Sequence, residues 1–149
     1  MSDLEFELRQ AELFEGLSSQ ELQSIAALCR ARTFGAGEII TTQGERGDEL
    51  FLVSQGFVEV TASQPDSSEA PRTVVNLGPG QIVGEMSLID RGPRSATVRA
   101  LTDGTLLQEL KSEAFLSLCQ TNTHLGYIVM RNMAADLSFK LRHRMLSGH

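Results

Sequence analysis

The sequence predicts an α+β fold that is mainly β: an eight-stranded jelly-roll β-barrel with helices at its N-terminus, one short helix inside the roll and a long C-terminal helix. Three observations carry that expectation. Residues 31–111 break into short runs rich in Val, Ile, Leu, Phe and Thr, separated by glycine-containing turns, which is the pattern of closely spaced strands in a sandwich or barrel. Residues 4–30 and 112–146 instead space their apolar side chains at three and four, as helices do. Between these, Ile82 to Ala100 reads strand, glycine turn, short helix, Gly-Pro break and strand, so something other than a hairpin interrupts the roll. The chain has 149 residues, one domain by the usual size expectation and long enough to bury a core.

From the N-terminus, Leu4 to Arg30 reads as helix. Leu13-Phe14-Glu15-Gly16-Leu17 closes one segment, and Ser18-Ser19-Gln20-Glu21 is a capping-type start for the next. Leu22, Ile25, Ala26 and Cys29 then give one apolar face. Phe14 and Leu17 suit the core, or packing on another subunit. The strands follow: Arg32–Phe34, Glu38–Thr42, Leu50–Ser54 and Phe57–Thr61, with turns at Gly35-Ala36-Gly37, at residues 43–48 and at Gln55-Gly56. Residues 63–72 are polar and Pro/Ser-rich, an exposed hairpin loop with no evident chemistry. Thr73–Leu77 is the next strand, Gly78-Pro79-Gly80 turns it into Gln81-Ile82-Val83, and residues 104–110 close the roll. Ser112 to Cys119 is a short helix, after which Asn122 or Thr123 caps a helix running to about Leu146. Tyr127, Met130, Met133, Ala134, Leu137 and Leu141 make a stripe on it, suited to packing on the roll or to a two-helix dimer seam.

Composition removes several function classes. A hydrophobic content of 41% and a formal net charge of −6 are ordinary for a soluble cytoplasmic protein, which is the expected localisation. The acidic balance argues against nucleic acid as a main partner, because phosphate backbones are held by clustered Lys and Arg. No apolar run reaches the length of a membrane span, and Met1-Ser2-Asp3-Leu4-Glu5 does not read as a signal peptide. No membrane partner is therefore expected. Cys29 and Cys119 each fall in an amphipathic stretch and read as small apolar residues rather than a redox pair.

The stretch that carries chemistry is the interruption. Gly84 allows a sharp turn and a close approach of backbone to ligand. Glu85 to Ile89 is about one helical turn, whose first N–H groups lack internal partners and can face an anion. Gly92-Pro93 stops the helix, and Arg94 then stands at the mouth of the next strand with a planar fork suited to phosphate oxygens. Glu85 is the informative oddity. A carboxylate repels a phosphate placed beside it, so its fitting partner is a donor on the same ligand, such as a sugar hydroxyl. Phosphate and ribose in one compact site indicate a nucleotide.

Gly84-Glu85, followed at the right spacing by Pro93-Arg94-Ser95-Ala96-Thr97-Val98, resembles the phosphate-binding cassette of the cyclic nucleotide-binding domain family. The order of Gly37-Glu38, Gly44-Glu45, Gly47-Asp48 and Gly56 is similar to the β-roll of that family, so the resemblance covers nearly the whole chain, residues 1–149, with the cassette at 82–100. It implies a sensor domain like that of bacterial cAMP receptors, not an enzyme, with no cofactor and a cyclic nucleotide as ligand. Arg94 would hold the exocyclic phosphate oxygens, helped by the N–H groups of Ser87 and Ala96 and the Ser95 hydroxyl. Glu85, with the Gly84 backbone, would accept from the ribose 2′-OH. Val74, Val83 and Met86 would line the apolar wall under purine and ribose. Phe139, Arg142 and His143 on the last helix are the candidates for capping the base. Ser95 stands where several cGMP-preferring relatives carry Thr, which favours cAMP over cGMP. The last helix would close over the ligand and is a candidate for homodimerisation. Relatives that regulate transcription carry a helix-turn-helix domain after this helix, whereas only Ser147-Gly148-His149 follow here, so no DNA binding is expected through this chain.

Two other readings bear weighing. A cupin-type metal enzyme uses a similar roll, but its ligands are inward-facing histidines, and His124, His143 and His149 all lie outside the expected strands. A degenerate member of the same family, acting only as a ligand-free interaction or dimerisation module, stays open. The intact Glu85 and Arg94 weigh against it.

Overall fold

Strand pairing produces two separate four-stranded sheets. The computed structural model describes residues 3–63, 68 and 70–146; residues 64–67 and 69 of the polar loop and Ser147-Gly148-His149 lie outside the described residues. The strands are β1 Arg30–Phe34, β2 Ile39–Thr41, β3 Glu49–Gln55, β4 Val58–Ala62, β5 Arg72–Leu77, β6 Ile82–Val83, β7 Thr97–Ala100 and β8 Thr105–Lys111. One sheet has the order β1-β8-β3-β6 and the other β2-β7-β4-β5, all pairs antiparallel. The expectation of a closed eight-stranded jelly-roll β-barrel is therefore corrected to an α+β fold of two open sheets with helices at both ends. Closure needs an unbroken ladder around the ring with consistent tilt and stagger. Here the edge strands β2 and β6 have only three and two residues, and no pairing links the edges of the two sheets among the described residues.

β3 explains how two cores arise from one strand. It is buried on both faces, so its residues read as a continuous apolar run rather than an alternation. Phe51 and Val53 point between the sheets, where they meet Phe34, Val58, Val83, Val98, Ala100 and Leu107. Leu50 and Leu52 point the other way, into a second core built with the helices around Leu8, Phe14, Phe115, Leu125 and Val129.

The N-terminal helical region is less continuous than its periodicity predicts. Helix α1 spans Asp3–Gln10, a 3-10 turn Glu12–Phe14, and α2 Ser19–Ala26. Gly16, at φ +95°, bends the chain before α2. The expected capping box is present: Ser18 Oγ accepts from Glu21 N at 3.1 Å and Glu21 Oε1 accepts from Ser18 N at 3.0 Å. Cys29 lies past the helix, where tight turn bonds from Leu28 and Cys29 deliver the chain into β1. Phe14 and Leu17 are buried within this chain, and the Phe14 ring lies 6.0 Å from that of Phe115. Both belong to the core.

At the C-terminus α3 runs Ser112–Thr121 and α4 Thr123–Leu146, with Asn122 Oδ1 accepting from Leu125 N at 3.0 Å as the cap. The buried row of α4 is Leu125, Val129 and Met133, while Tyr127, Leu137 and Leu141 are exposed. The sequence stripe misplaces this row because α3 sets it. A Cβ on Gly126 would stand 3.0 Å from both Cβ and O of Cys119, so glycine there lets α4 cross α3 closely. Asn132 Nδ2 then donates to the carbonyls of Leu13 and Glu15, each at 2.9 Å. α4 is thus fixed as far as Met133, and its remaining turns carry only exposed or half-buried side chains up to His143.

Three engaged carboxylates make stability acid-sensitive. Glu5, buried between α1 and α2, accepts from Ser19 Oγ at 2.7 Å and Gln23 Nε2 at 2.9 Å, and these bonds hold its carboxyl below the ordinary 4.5. Burial pushes Glu21 and Glu109 upward, but hydrogen bonds from Ser18 and His124 to the first, and from Arg32 and Lys111 to the second, keep both lowered. Depressed folded-state values give stability that is complete above 4.5 and is lost as pH falls through them. Thermal midpoints should therefore be flat from neutrality to about pH 5 and drop steeply below it, with Glu5→Gln showing a smaller drop. A midpoint unchanged between about pH 5 and 3 would contradict this assignment.

Candidate functional site

β6 lies against β3, with Val83 opposite Phe51, and this register delivers the next residue to the backbone of Glu49 and Leu50. Gly84 takes φ +82°, ψ 14° and caps a single 3-10 turn, Glu85–Leu88. That left-handed conformation favours glycine, and space requires it too. A Cβ there would stand 2.5 Å from Arg94 Nη1 and 3.0 Å from the Glu49 carbonyl oxygen. Gly47 does the same on another side, where a Cβ would meet Arg94 Nε at 2.8 Å. Arg94 therefore threads a slot that two missing side chains leave open, and its side chain is only 8% exposed.

The backbone of the slot is strapped to the turn at residues 43–48. Arg94 N donates to Glu45 O at 2.7 Å, Gly44 N to Arg94 O at 2.9 Å, and Gly47 N to Gly92 O at 3.3 Å. The guanidinium is anchored at one nitrogen: Nη2 donates to Glu49 O at 2.8 Å and to Glu49 Oε1 at 3.0 Å. Lys111 Nζ stands 3.6 Å from the other Glu49 oxygen and 3.3 Å from Glu109 Oε1, while Arg32 Nη1 reaches Glu109 Oε2 at 2.7 Å. Three cations and two carboxylates thus alternate across β1, β8 and β3 and end at Arg94.

Beside Arg94 opens a cavity of about 1480 Å³, lined by Val74, Val83, Gly84, Glu85, Met86, Ser87, Arg94, Ser95 and Ala96. All nine residues expected at a ligand site from the sequence lie on this one cavity. Val74, on the edge strand β5, is 64% exposed. Glu85 is half-buried and makes no hydrogen bond among the described residues, and neither does the Ser95 hydroxyl or the Ala96 N–H. Ser87 differs from its expected role. Its N–H donates to Gly84 O at 3.1 Å, and its buried hydroxyl bonds Gly84 O at 2.8 Å and pairs with Ser112 Oγ at 2.7 Å. Ser87 therefore ties the turn to the start of α3.

Of the base-capping candidates, Phe139 lines the cavity; Arg142 and His143 do not. Both are exposed, and the His143 ring stacks on Phe139 with centroids 6.2 Å apart and planes 9° from parallel. Sequence reasoning missed the charged pair that α4 does bring to the cavity, Asp136 and Lys140, joined at 2.9 Å. The Asp136 hydrogen bond raises the Lys140 ammonium above its ordinary value, opposed by burial and aided by the charges of Asp136, Glu85 and Glu12. Gly47 and Glu49 were missed as well; the only signal for them is a glycine-acid turn that reads equally well as a plain corner.

Together these elements line one cavity with an anchored guanidinium and a carboxylate that makes no hydrogen bond among the described residues. The model of the cyclic nucleotide-binding domain family matches residues 31–122, more than half of the chain, and the chain belongs to that family. It is 41% identical over 116 residues to a cyclic nucleotide-gated potassium channel of Mesorhizobium japonicum, covering 78% of this chain and 30% of the channel. It is 36% identical over 135 residues to the cyclic AMP receptor protein of Thermus thermophilus, covering 91% of this chain and 59% of that protein. Among solved structures, the Thermus thermophilus catabolite activator protein superposes with a TM-score of 0.80 at 35% identity, over 92% of this chain and 61% of that one. The chain thus spans less than two thirds of the length of these relatives. Among the described residues no helix is long and apolar enough to cross a membrane.

Proposed function

We propose that this domain binds a 3′,5′-cyclic nucleotide, cAMP in preference to cGMP, as a non-catalytic sensor. The observation that carries this reading is Arg94 held in its two-glycine slot on the same cavity as Glu85, which makes no hydrogen bond among the described residues. Nε and Nη1 of Arg94 keep their hydrogens for phosphate oxygens, with the Ala96 N–H and the Ser95 hydroxyl as further donors. Glu85 accepts the ribose 2′-OH, and Val74, Val83 and Met86 supply the apolar wall. The Ser87 N–H, engaged by Gly84, is left out of the phosphate set. Relatives named for cyclic AMP and cyclic nucleotides support the ligand class, and serine rather than threonine at Ser95 supports the base preference. In a displacement titration against a fluorescent cAMP analogue, cAMP should compete more strongly than cGMP. A cGMP advantage above about tenfold, or 1.4 kcal/mol, reverses the preference.

The cavity exceeds the roughly 300–1,000 Å³ typical of small-ligand sites, and its outer wall is the loosely held half of α4. Ligand binding therefore favours a state in which residues 134–146 approach the base, provided that state binds more tightly than the open one. The hinge falls after Met133, where buried contacts end, because the helix before it is packed closely on α3 through Gly126 and Cys119. Exposed Leu137, Phe139 and Leu141 give the same segment a surface for a homodimer contact. Amides of residues 136–145 should be protected from hydrogen exchange on cAMP addition. Identical exchange with and without saturating ligand rules the closure out.

A further inference from the structure

We propose that Glu49 is the positioning residue for Arg94: its carboxylate holds the guanidinium in the orientation that meets the ligand phosphate, and Lys111 braces it from behind. The inference rests on the cyclic-nucleotide reading of the cavity. A guanidinium carries five N–H donors, and the two on Nη2 both go to Glu49, one to its backbone oxygen and one to its side chain. The backbone bond alone fixes a point and leaves the plane of the fork free to swing. The carboxylate supplies the second point, inside a slot that Gly84 and Gly47 keep open by carrying no Cβ. Glu49 is in turn directly opposite Lys111 in the β3–β8 register, a cross-strand pair of opposite charge. Without Lys111 and the Arg32–Glu109 pair behind it, a carboxylate this close to a bound phosphate would oppose binding. The alternation leaves one surplus positive charge along the ladder. Glu49 thus orients Arg94 without cancelling it.

The test compares Glu49→Gln, which keeps an oxygen acceptor for Nη2, with Glu49→Ala, which does not. Arg94 is followed in the free protein through its Nε–H cross-peak in a nitrogen–proton correlation spectrum, assigned with Arg94→Lys. Affinity is measured with cAMP itself, and thermal melting reports folding. The expected result is a cross-peak retained in wild type and Glu49→Gln but lost or broadened in Glu49→Ala. With it, cAMP affinity should stay within about fivefold of wild type for Gln and fall about tenfold or more for Ala, at similar melting temperatures. An Ala variant that binds as well as wild type, or a Gln variant as weak as Ala, overturns the positioning role. If wild type binds no cyclic nucleotide, the reading of the cavity fails, and the cross-peak still decides on its own: lost in Ala, Glu49 holds Arg94; unchanged, it does not.

Discussion

Arg94→Leu should weaken cAMP binding by about 30-fold or more while leaving the fold intact. The guanidinium is almost completely enclosed, so whatever it donates to a phosphate is a desolvated, charge-assisted bond. Truncating one partner of such a bond typically costs about 2–5 kcal/mol, which corresponds to a loss of affinity between about 30-fold and several thousand-fold. Leucine leaves the backbone bonds of residue 94 to Glu45 and Gly44 in place, and these tie the cassette to the turn at residues 43–48. It does strand the Glu49 carboxylate beside an apolar neighbour, but Lys111 remains within 3.6 Å of it. The melting temperature should therefore move little compared with the binding loss. Arg94→Lys should recover only part of the affinity, since a single ammonium cannot serve Glu49 and a phosphate in the same geometry. Melting curves and titrations on the two variants separate these outcomes. An Arg94→Leu protein that binds cAMP like wild type would remove the residue from the site.

Gly84→Val should be nearly as damaging, for a different reason. Two costs fall on the same atom. The backbone stays at φ +82°, where a β-branched residue is strained by roughly 1–3 kcal/mol. The new Cβ also stands 2.5 Å from Arg94 Nη1 and 3.0 Å from Glu49 O. Of those two neighbours, the strand carbonyl is fixed by its sheet and the arginine is the one that can yield. Arg94 is therefore expelled from its slot, and cAMP affinity should drop by about a hundredfold or more, or some 3 kcal/mol. Gly104→Val is the matching control. Its φ is +71° and nothing lies within 4 Å of its Cβ position, so it should lose stability through backbone strain alone and keep its affinity. If both variants lose stability and neither loses affinity, the slot is not what admits Arg94 to the site.

What could be read from the sequence and what could not divides along local and non-local lines. Gly84, Glu85, Pro93 and Arg94 lie within a single turn-helix-turn, so their spacing alone places them together, and the structure puts the nine expected residues on one cavity. The strands were legible because glycine corners punctuate them. Barrel closure was not, since it depends on which edges meet, and the shortness of β2 and β6 decides that only once the sheets are formed. The buried row of α4 was misread for a related reason: its rotation is set by how closely Gly126 approaches Cys119 on α3, and apolar spacing on one helix carries no information about its neighbour. Glu49 illustrates the same limit at the site itself. It precedes Arg94 by 45 residues, and only the β3–β6 pairing that brings Gly84 beside Glu49 reveals what the acid is for.

The central claim is that this cavity takes a 3′,5′-cyclic nucleotide through Arg94 and Glu85, and calorimetric titration of the wild-type chain with cAMP tests it most directly. The account predicts a saturable heat with one ligand per chain, with affinity lowered about 30-fold or more in Arg94→Leu and also lowered in Glu85→Ala. No heat with either cAMP or cGMP, from a chain that melts cooperatively, would contradict it.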